Sequence, residues 1–215
     1  MRQQVTVFGA NGKVGSLIVE ELLGRDYKVV AFVHNQSALK QSDQLSIVQG
    51  DIYQAIDVEK ALDGSEMVIS ALGSWGTPKK DILATGMSFI IPGMKKRNIT
   101  KIISLTGADA RAKGDKLSLL HRISHIGISI IGHKVLFDGE KHIRLLEESK
   151  LDWTVVRSPI MSSSAPVTDM YNLGDRRPAP WKTISRQLVV LSMVDLLENH
   201  TWTRRSPFLG EDIDT

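Results

Sequence analysis

Short apolar runs alternate along this chain with segments whose apolar residues recur three and four positions apart. The runs are rich in Val, Ile and Phe and fit buried strands, whereas the spacing of the other segments fits one face of a helix. Predicted strands cover 5–8, 28–33, 45–49, 67–73, 101–107 and 151–157, and predicted helices cover 14–22, 58–62, 82–97, 134–149 and 184–199. The alternation predicts an α/β fold: a Rossmann-like, doubly wound parallel sheet in a three-layer αβα arrangement.

Two stretches do not follow this alternation. Residues 108–133 begin charged and continue as an apolar stretch interrupted by glycines, and residues 160–183 are rich in Ser, Pro and Gly. Such composition is typical of functional loops, so we predict substrate-side excursions here, the second being a small C-terminal flap.

Two further details concern single elements. Pro92 predicts a kink or break in its helix, and residues 207–209 predict a short edge strand.

Composition narrows the class of protein. A length of 215 residues with 42% hydrophobic content predicts a single domain over 1–215. The 27 basic and 24 acidic residues leave a net charge of only +3, and the basic pairs are not interleaved with aromatics, so we expect no nucleic-acid partner. No run is long enough to span a membrane, and the first strand starts too early for a signal segment, so we expect no membrane association and a cytoplasmic location.

The chain contains no cysteine, which excludes disulfides, thiol nucleophiles and cysteine metal sites. His121 and His125 are four residues apart and would share a helix face, but no nearby carboxylate completes a ligand set. We therefore expect no metal, and redox chemistry must come from a bound cofactor.

The first strand runs directly into Gly9-Ala10-Asn11-Gly12-Lys13-Val14-Gly15. A strand, a glycine turn and a helix present free backbone N–H groups to a phosphate. Gly9 permits the sharp exit from the strand, Gly12 lets the backbone approach a pyrophosphate, and Gly15 lets the helix pack closely on the sheet.

The end of the second strand bears on the choice of cofactor. Folds that prefer NAD usually place a carboxylate there, which would repel the 2′-phosphate of NADP. This chain has His34 and Asn35, with Lys40 just beyond and Lys13 facing from the glycine turn. The pattern favours an NADP pocket; the alternative is an ordinary polar loop.

Later strand ends supply further candidates, because ligands of open α/β sheets bind beyond the carboxyl ends of the strands. Asp51 either caps the next helix or hydrogen-bonds the adenine, with Ile52 packed on that ring, and both roles are compatible. Residues 71–73 should border the cofactor, and Thr106 should lie near the nicotinamide. Trp75 could stack on a substrate ring or anchor its loop.

The chain resembles the atypical short-chain dehydrogenase/reductase superfamily, in the NAD(P)H-binding group with NmrA-like proteins and flavin (biliverdin) reductases. The resemblance rests on residues 9–15, 50–52, 70–73, 104–107 and 149–157. It implies a Rossmann-like fold, bound NADP(H) in preference to NAD(H), and hydride transfer to a flavin, quinone or other conjugated acceptor. By the same resemblance, the cofactor-binding residues are Gly9, Asn11, Gly12, Lys13, Val14 and Gly15 for the pyrophosphate, His34 and Asn35 for the 2′-phosphate, Asp51 and Ile52 for the adenine, and Ala71, Leu72, Gly73, Thr106, Ser158 and Pro159 for the nicotinamide.

One departure from that superfamily concerns catalysis. Its dehydrogenases use Tyr-x-x-x-Lys, in which the lysine lowers the tyrosine pKa for proton transfer. The nearest match here runs from Phe137 to Lys141 and lacks the phenol, so we do not expect an alcohol dehydrogenase mechanism.

Two routes remain for an enzyme. A flat acceptor takes hydride and draws its proton from water, or a side chain supplies the proton. Candidate catalytic residues are Thr106, His133 and Lys141, with Lys134 in competition with the last. Trp75, Met161 and Tyr171 are candidate walls for the acceptor, or packing residues of their loops.

The alternative function is a non-catalytic NADP-binding redox sensor of the NmrA-like type, which the missing tyrosine favours. A sugar-nucleotide epimerase is a weaker alternative, since it requires a longer C-terminal domain and a retained tyrosine. We expect a monomer or homodimer that acts on a small-molecule acceptor.

Overall fold

The computed structural model describes residues 3–74, 77–115, 132–163, 165 and 170–211. Its ten strands are β1 (Gln4–Phe8), β2 (Lys28–Val33), β3 (Leu45–Gln49), β4 (Met67–Ser70), β5 (Lys101–Gly107), β6 (Asp152–Ser158), β7 (Ile160–Ser162), β8 (Tyr171–Gly174), β9 (Thr183–Ser185) and β10 (Phe208–Glu211). Its helices are α1 (Gly15–Gly24), α2 (Ala55–Ala61), α3 (Ile82–Lys96), α4 (His133–Ser149) and α5 (Arg186–Glu198).

Eight strands form one sheet in the order β3-β2-β1-β4-β5-β6-β10-β8. All neighbours are parallel except β10 and β8, which are antiparallel. From β1 the chain first builds outward through β2 and β3, then returns to the other side of β1 with β4. The prediction of a doubly wound, Rossmann-like sheet is therefore confirmed, and the switch point lies between β1 and β4.

Two apolar layers cover the two faces of the sheet. On one face α1 and α5 pack together, with Ile18, Leu22 and Leu188 fully buried. On the other face α2, α3 and α4 pack in sequence, with Met87 and Ile143 fully buried. Each such side chain contributes about 1.5–3 kcal/mol on burial, so the two layers hold the strand ends in fixed positions.

Several details differ from the predicted elements. The region 160–183, predicted as a flap, contributes β7 to a small parallel pair with β9 and β8 to the main sheet. Tyr171 and Leu173 of β8 alternate toward the apolar core, which explains the strand. The strand predicted at 207–209 as an edge strand is β10, and it lies inside the sheet, between β6 and β8. Helix α3 continues through Pro92.

No helix in the described ranges is long and apolar enough to cross a membrane.

Candidate functional site

The glycine turn after β1 admits no larger residue at two positions. Gly9 has a positive φ of 80°, and a Cβ there would lie 2.8 Å from the Ala71 carbonyl oxygen. A Cβ on Gly15 would lie 2.1 Å from the Gly9 carbonyl oxygen. The turn therefore brings the backbone of β1, α1 and the end of β4 into direct contact, as the spacing predicts.

Helix α1 starts at this turn, directly after Val14. Val14 is its N-cap and forms no side-chain cap, and its first turn carries no acidic residue. The Ala71 N–H donates to the Phe8 carbonyl at 2.9 Å, so the chain after β4 is hydrogen-bonded to the end of β1. An uncapped helix start beside bare glycine backbone suits the pyrophosphate of a dinucleotide.

Asn11 connects the glycine turn to the loop after β2. Its amide Nδ2 donates to the carbonyls of Asn35 at 3.3 Å and Gln36 at 3.2 Å, and its Oδ1 accepts from the Ser37 hydroxyl at 2.5 Å. His34, Asn35 and Lys13 are exposed around this junction. The structure thus brings together the residues predicted for the pyrophosphate and the 2′-phosphate.

Asp51 and Ile52 lie beyond the end of β3, beside the same loop. The Asp51 carboxylate accepts from the Tyr53 N–H at 3.0 Å and forms a local turn, whereas the N-cap of α2 is Gln54. Asp51 is therefore not the cap residue of the helix. Ile52 is buried near Gly86 of α3, so its contact with an adenine stays a prediction.

The segment after β4 is held by a carboxylate from a distant helix. Asp138 of α4 is 2% exposed, and it accepts from the Leu83 N–H at 3.0 Å, the Ala84 N–H at 2.8 Å and the Ser74 hydroxyl. It therefore caps α3 from outside that helix and fixes the loop that contains 71–73. Of those three residues Ala71 is half-buried, Leu72 is buried and Gly73 is exposed.

Thr106 lies at the carboxyl end of β5, directly under α4. A Cβ on Gly139 would lie 2.7 Å from the Thr106 hydroxyl oxygen, so the helix presents bare backbone to it. Thr106 pairs in register with Arg157, one residue before Ser158, and both Ser158 and Pro159 are buried. Thr106, Ser158 and Pro159 thus lie together at the carboxyl ends of β5 and β6.

The candidate proton donors on α4 do not face Thr106. Phe137 and Lys141 are each two residues from Gly139, which is about 200° around the helix. They are exposed, as are His133 and Lys134, and all four line a groove between α3 and α4. The structure therefore does not place Lys141 or His133 beside Thr106, and their catalytic roles stay predictions.

A buried polar cluster lies under the same part of α4. The His142 Nε2 is 2.8 Å from the Ser104 hydroxyl, and Ser104 pairs in register with Ser70. The Nδ1 of His142 and the hydroxyl of Ser70 have no hydrogen-bond partner within the described residues. Burial lowers the pKa of His142 to about 3, so this imidazole is neutral near pH 7.

Arg157, which ends the predicted sixth strand, is part of a buried ion network. Its guanidinium pairs with Asp115 and stacks 3.6 Å from the centroid of Phe208, and Arg177 joins Asp115 at 3.4 Å. Desolvation by burial lowers the pKa of Arg177. The network ties the loop after β5 to β6 and to the segment that follows β8.

Two of the three predicted acceptor walls lie in the described residues. Met161 in β7 and Tyr171 in β8 are partly buried against the core shared by α1 and α5. The Tyr171 hydroxyl donates to Asp195 at 2.7 Å, and Asp195 also pairs with Arg25. The Tyr171 side chain therefore has a structural contact of its own. Burial and this bond raise the pKa of Tyr171. Trp75 lies outside the described residues.

No three His, Asp or Glu side chains cluster as metal ligands in the part of the chain that is described. His121 and His125 lie outside that part.

Comparison with known proteins identifies the family. The profile of the NAD(P)H-binding family matches residues 9–200. The chain belongs to this NAD(P)H-binding family. The match includes the glycine turn, the strand ends and α4, and it supports the resemblance to atypical short-chain dehydrogenases/reductases.

Known relatives extend the comparison. An uncharacterised chloroplastic protein of Arabidopsis thaliana is 26% identical over 179 residues, which cover 76% of this chain and 61% of that protein. The chain thus spans less than two thirds of that relative's length.

Solved structures show the same fold. A short-chain dehydrogenase/reductase of Veillonella parvula in complex with NADP has a TM-score of 0.79 at 20% identity, covering 99% of this chain and 96% of that chain. ChuY, an anaerobillin reductase of Escherichia coli O157:H7, has a TM-score of 0.79 at 20% identity, covering 99% of each chain.

Proposed function

We propose that this protein is an NADPH-dependent reductase that transfers hydride to a conjugated acceptor such as a flavin or quinone. The observation that carries the proposal is the pairing of a complete dinucleotide cradle at β1 and α1 with a bare helix face, Gly139, above Thr106. Such a site binds a dinucleotide but offers no phenol for proton transfer to an alcohol or ketone oxygen.

The residues of the chain act by binding and positioning. The bound nicotinamide supplies the hydride. The N–H groups at the start of α1 bind the pyrophosphate, and Thr106 with Ser158 and Pro159 lines the nicotinamide. Because Asp138 fixes the loop after β4, the opposite wall of this crevice is held as well. A conjugated acceptor can then take its second hydrogen as a proton from water.

The preference for NADP rests on charge at the end of β2. Residues 34–40 contain no carboxylate, and Lys13, His34 and Asn35 are exposed where Asn11 joins the two loops. A 2′-phosphate would gain a positive neighbour, and no carboxylate of this segment would repel it. The NADP complex of the Veillonella parvula structure is consistent with this preference.

The acceptor class is inferred from the missing phenol, and the reductase activity is supported by the E. coli protein of the same fold, an anaerobillin reductase. The same proposal includes a small-molecule acceptor as the principal partner. It also includes a monomer or homodimer, which sedimentation would test, and a cytoplasmic location, which cell fractionation would test.

A redox sensor is the second candidate. It is favoured by the same bare face of α4, because binding of NADP alone needs no proton donor. In this case the crevice would bind the cofactor, and a protein partner would bind differently to the cofactor-bound and cofactor-free forms.

One assay separates the two candidates. Purified protein is mixed with NADPH or NADH and with FMN, menadione or biliverdin, and the absorbance of the reduced nicotinamide is followed. We expect saturable turnover that is faster with NADPH. Saturable binding without turnover on any of these acceptors would favour the sensor.

A further inference from the structure

A hydrogen bond joins two loops that lie beyond the carboxyl ends of the sheet. The loop after β3 carries Asp51 and Ile52, which are predicted to bind the adenine, and residues 71–81 lead from β4 into α3. The Tyr53 hydroxyl donates to the Asp81 carboxylate at 2.8 Å. This hydrogen bond therefore connects the predicted adenine loop to the start of α3.

Apolar contacts bring the same two loops together. A Cβ on Gly86 of α3 would lie 2.8 Å from Leu72 Cδ1 and 3.2 Å from Ile52 Cγ1. Both Leu72 and Ile52 are predicted cofactor residues, and both are buried. Their side chains lie against the bare backbone of Gly86, so the cofactor residues of the two loops meet on α3. The loops that bear these residues are the ones that Tyr53 and Asp81 connect.

Both ends of the hydrogen bond are fixed locally. The Tyr53 N–H donates to the Asp51 carboxylate at 3.0 Å. The Tyr53 ring packs partly buried against the core, and the Lys79 Nζ lies 3.7 Å from its centroid. Asp81 directly precedes α3, whose first N–H groups bind Asp138. Because both partners are held, the hydrogen bond sets the spacing between the two loops.

The exposure of this contact favours a role in binding over a role in folding. Asp81 is exposed and Tyr53 is only half-buried, whereas the faces of the sheet are covered by fully buried apolar layers. An exposed contact to a charged group adds little to the stability of a fold. Two loops that are already held at the right spacing lose less freedom when a ligand binds, and the ligand then binds more tightly.

We propose that the Tyr53–Asp81 hydrogen bond is a clasp that holds the loops after β3 and β4 at the spacing that the adenosine half of the cofactor requires. Tyr53 and Asp81 are thus positioning residues. The inference rests on the binding of NADP(H) in the proposed function and adds a part of the site that acts on one half of the cofactor. Ligands that contain the adenosine half depend on the clasp, and nicotinamide mononucleotide does not.

The test compares NADPH with reduced nicotinamide mononucleotide, which lacks the adenosine half. Binding to the intact protein is followed by the fluorescence of the reduced nicotinamide, without an acceptor. Tyr53→Phe keeps the ring and loses the hydroxyl, so we expect NADPH to bind about three- to tenfold more weakly, the factor that one hydrogen bond supplies. The mononucleotide should bind within about twofold of its wild-type affinity. Calorimetry with adenosine 2′,5′-bisphosphate should show the same loss as NADPH.

Further variants assign the effect to the clasp. Tyr27→Phe is the matched control, because Tyr27 donates to Glu198 at 2.8 Å at the amino end of β2, and its loss should leave NADPH affinity unchanged. Asp81→Asn keeps an acceptor oxygen and should retain most of the affinity. Asp81→Ala should match Tyr53→Phe, and the double variant should bind no more weakly than either single one, because the hydrogen bond is already lost.

Unchanged NADPH affinity in Tyr53→Phe would overturn the inference, as would equal losses for NADPH and the mononucleotide or additive losses in the double variant. A selective loss for NADPH, with no oxidation of NADPH by FMN, would support the clasp and contradict the reductase. Turnover with unchanged affinity in Tyr53→Phe would do the reverse. A wild-type protein that does not bind NADPH would overturn both.

Discussion

The first and second halves of the sheet provide different parts of the site. Around β1 and α1, the turn admits no side chain at Gly9 or Gly15 and α1 has no side-chain cap, which is what a dinucleotide requires. Around β5 and α4, the strand end and the helix are present, but the helix face above Thr106 is Gly139. The first half thus has the cradle predicted for the cofactor, whereas α4 in the second half places no acid or base above Thr106.

Cofactor binding and proton transfer therefore depend on different elements of this fold. In the second half the polar groups are structural: Asp138 caps α3, and His142 is buried against Ser104. They position the crevice, and the described part of α4 adds no acid or base at Thr106.

The largest effect is expected from the glycine turn. Gly15→Ala would place a methyl group 2.1 Å from the Gly9 carbonyl oxygen, so the turn must move. We expect a loss of more than about 4 kcal/mol in the free energy of unfolding and loss of detectable NADPH binding. Denaturant unfolding and fluorescence titration measure both.

Gly24→Ala is the matched control, because nothing lies within 4 Å of its Cβ position at the other end of α1. Equal damage from both variants would contradict the proposed contact.

The second effect concerns the capping carboxylate. Asp138→Ala leaves two N–H groups of α3 and the Ser74 hydroxyl without their acceptor, so we expect destabilisation by about 2–4 kcal/mol. Thermal unfolding would show it. Asp63→Ala, which removes an exposed partner of Arg97, should cost less than about 1 kcal/mol, and a similar cost for both would remove the special role of Asp138.

His142 predicts acid sensitivity in the second half. Its pKa is about 3 in the folded protein and 6.5 in an ordinary environment. Between these values the unfolded chain binds the extra proton, so stability rises with pH and is lost as pH falls below about 6.5. We expect this histidine to cost about 2 kcal/mol between pH 7 and pH 5.

Unfolding curves of the wild type and of His142→Gln at several pH values would isolate that contribution, since glutamine does not titrate. The variant should lose correspondingly less stability on acidification. Parallel pH profiles for the two proteins would contradict the assignment.

The smallest effect concerns cofactor choice in the first half. Lys13→Gln removes an exposed charge next to the loop after β2, so we expect NADPH to bind about three- to tenfold more weakly and NADH to be nearly unaffected. Lys28→Gln, at the opposite end of β2, should change neither affinity. A uniform loss for both cofactors would place Lys13 at the pyrophosphate instead.

Local patterns made the first half predictable from the sequence. Strand, turn and helix follow one another within residues 4–24, so spacing alone indicates the cradle. The family resemblance implied a Rossmann-like fold for the rest of the chain. The chain beyond β6 was harder, because Tyr171 and Leu173 form a strand only through pairing with β10, about 35 residues later.

The structural roles of Asp138 and His142 in α4 could not be predicted from local sequence patterns. Asp138 binds Ser74, which is 64 residues earlier, and His142 meets Ser104 across a helix and a strand. A buried carboxylate and an exposed one look alike in a sequence. Gly139 did carry a signal, because a glycine inside a helical pattern often marks close packing, and here it contacts Thr106.

The central claim is that the cofactor cradle of the first half serves hydride transfer although α4 carries Phe137 in place of a tyrosine. A single-turnover experiment tests it: protein with bound NADPH, or with NADPH deuterated at the transferable C4 position, is mixed with FMN without oxygen. We predict oxidation faster than without protein, and slower with the deuterated cofactor. Tight binding of both cofactors without oxidation above the protein-free rate would contradict the account.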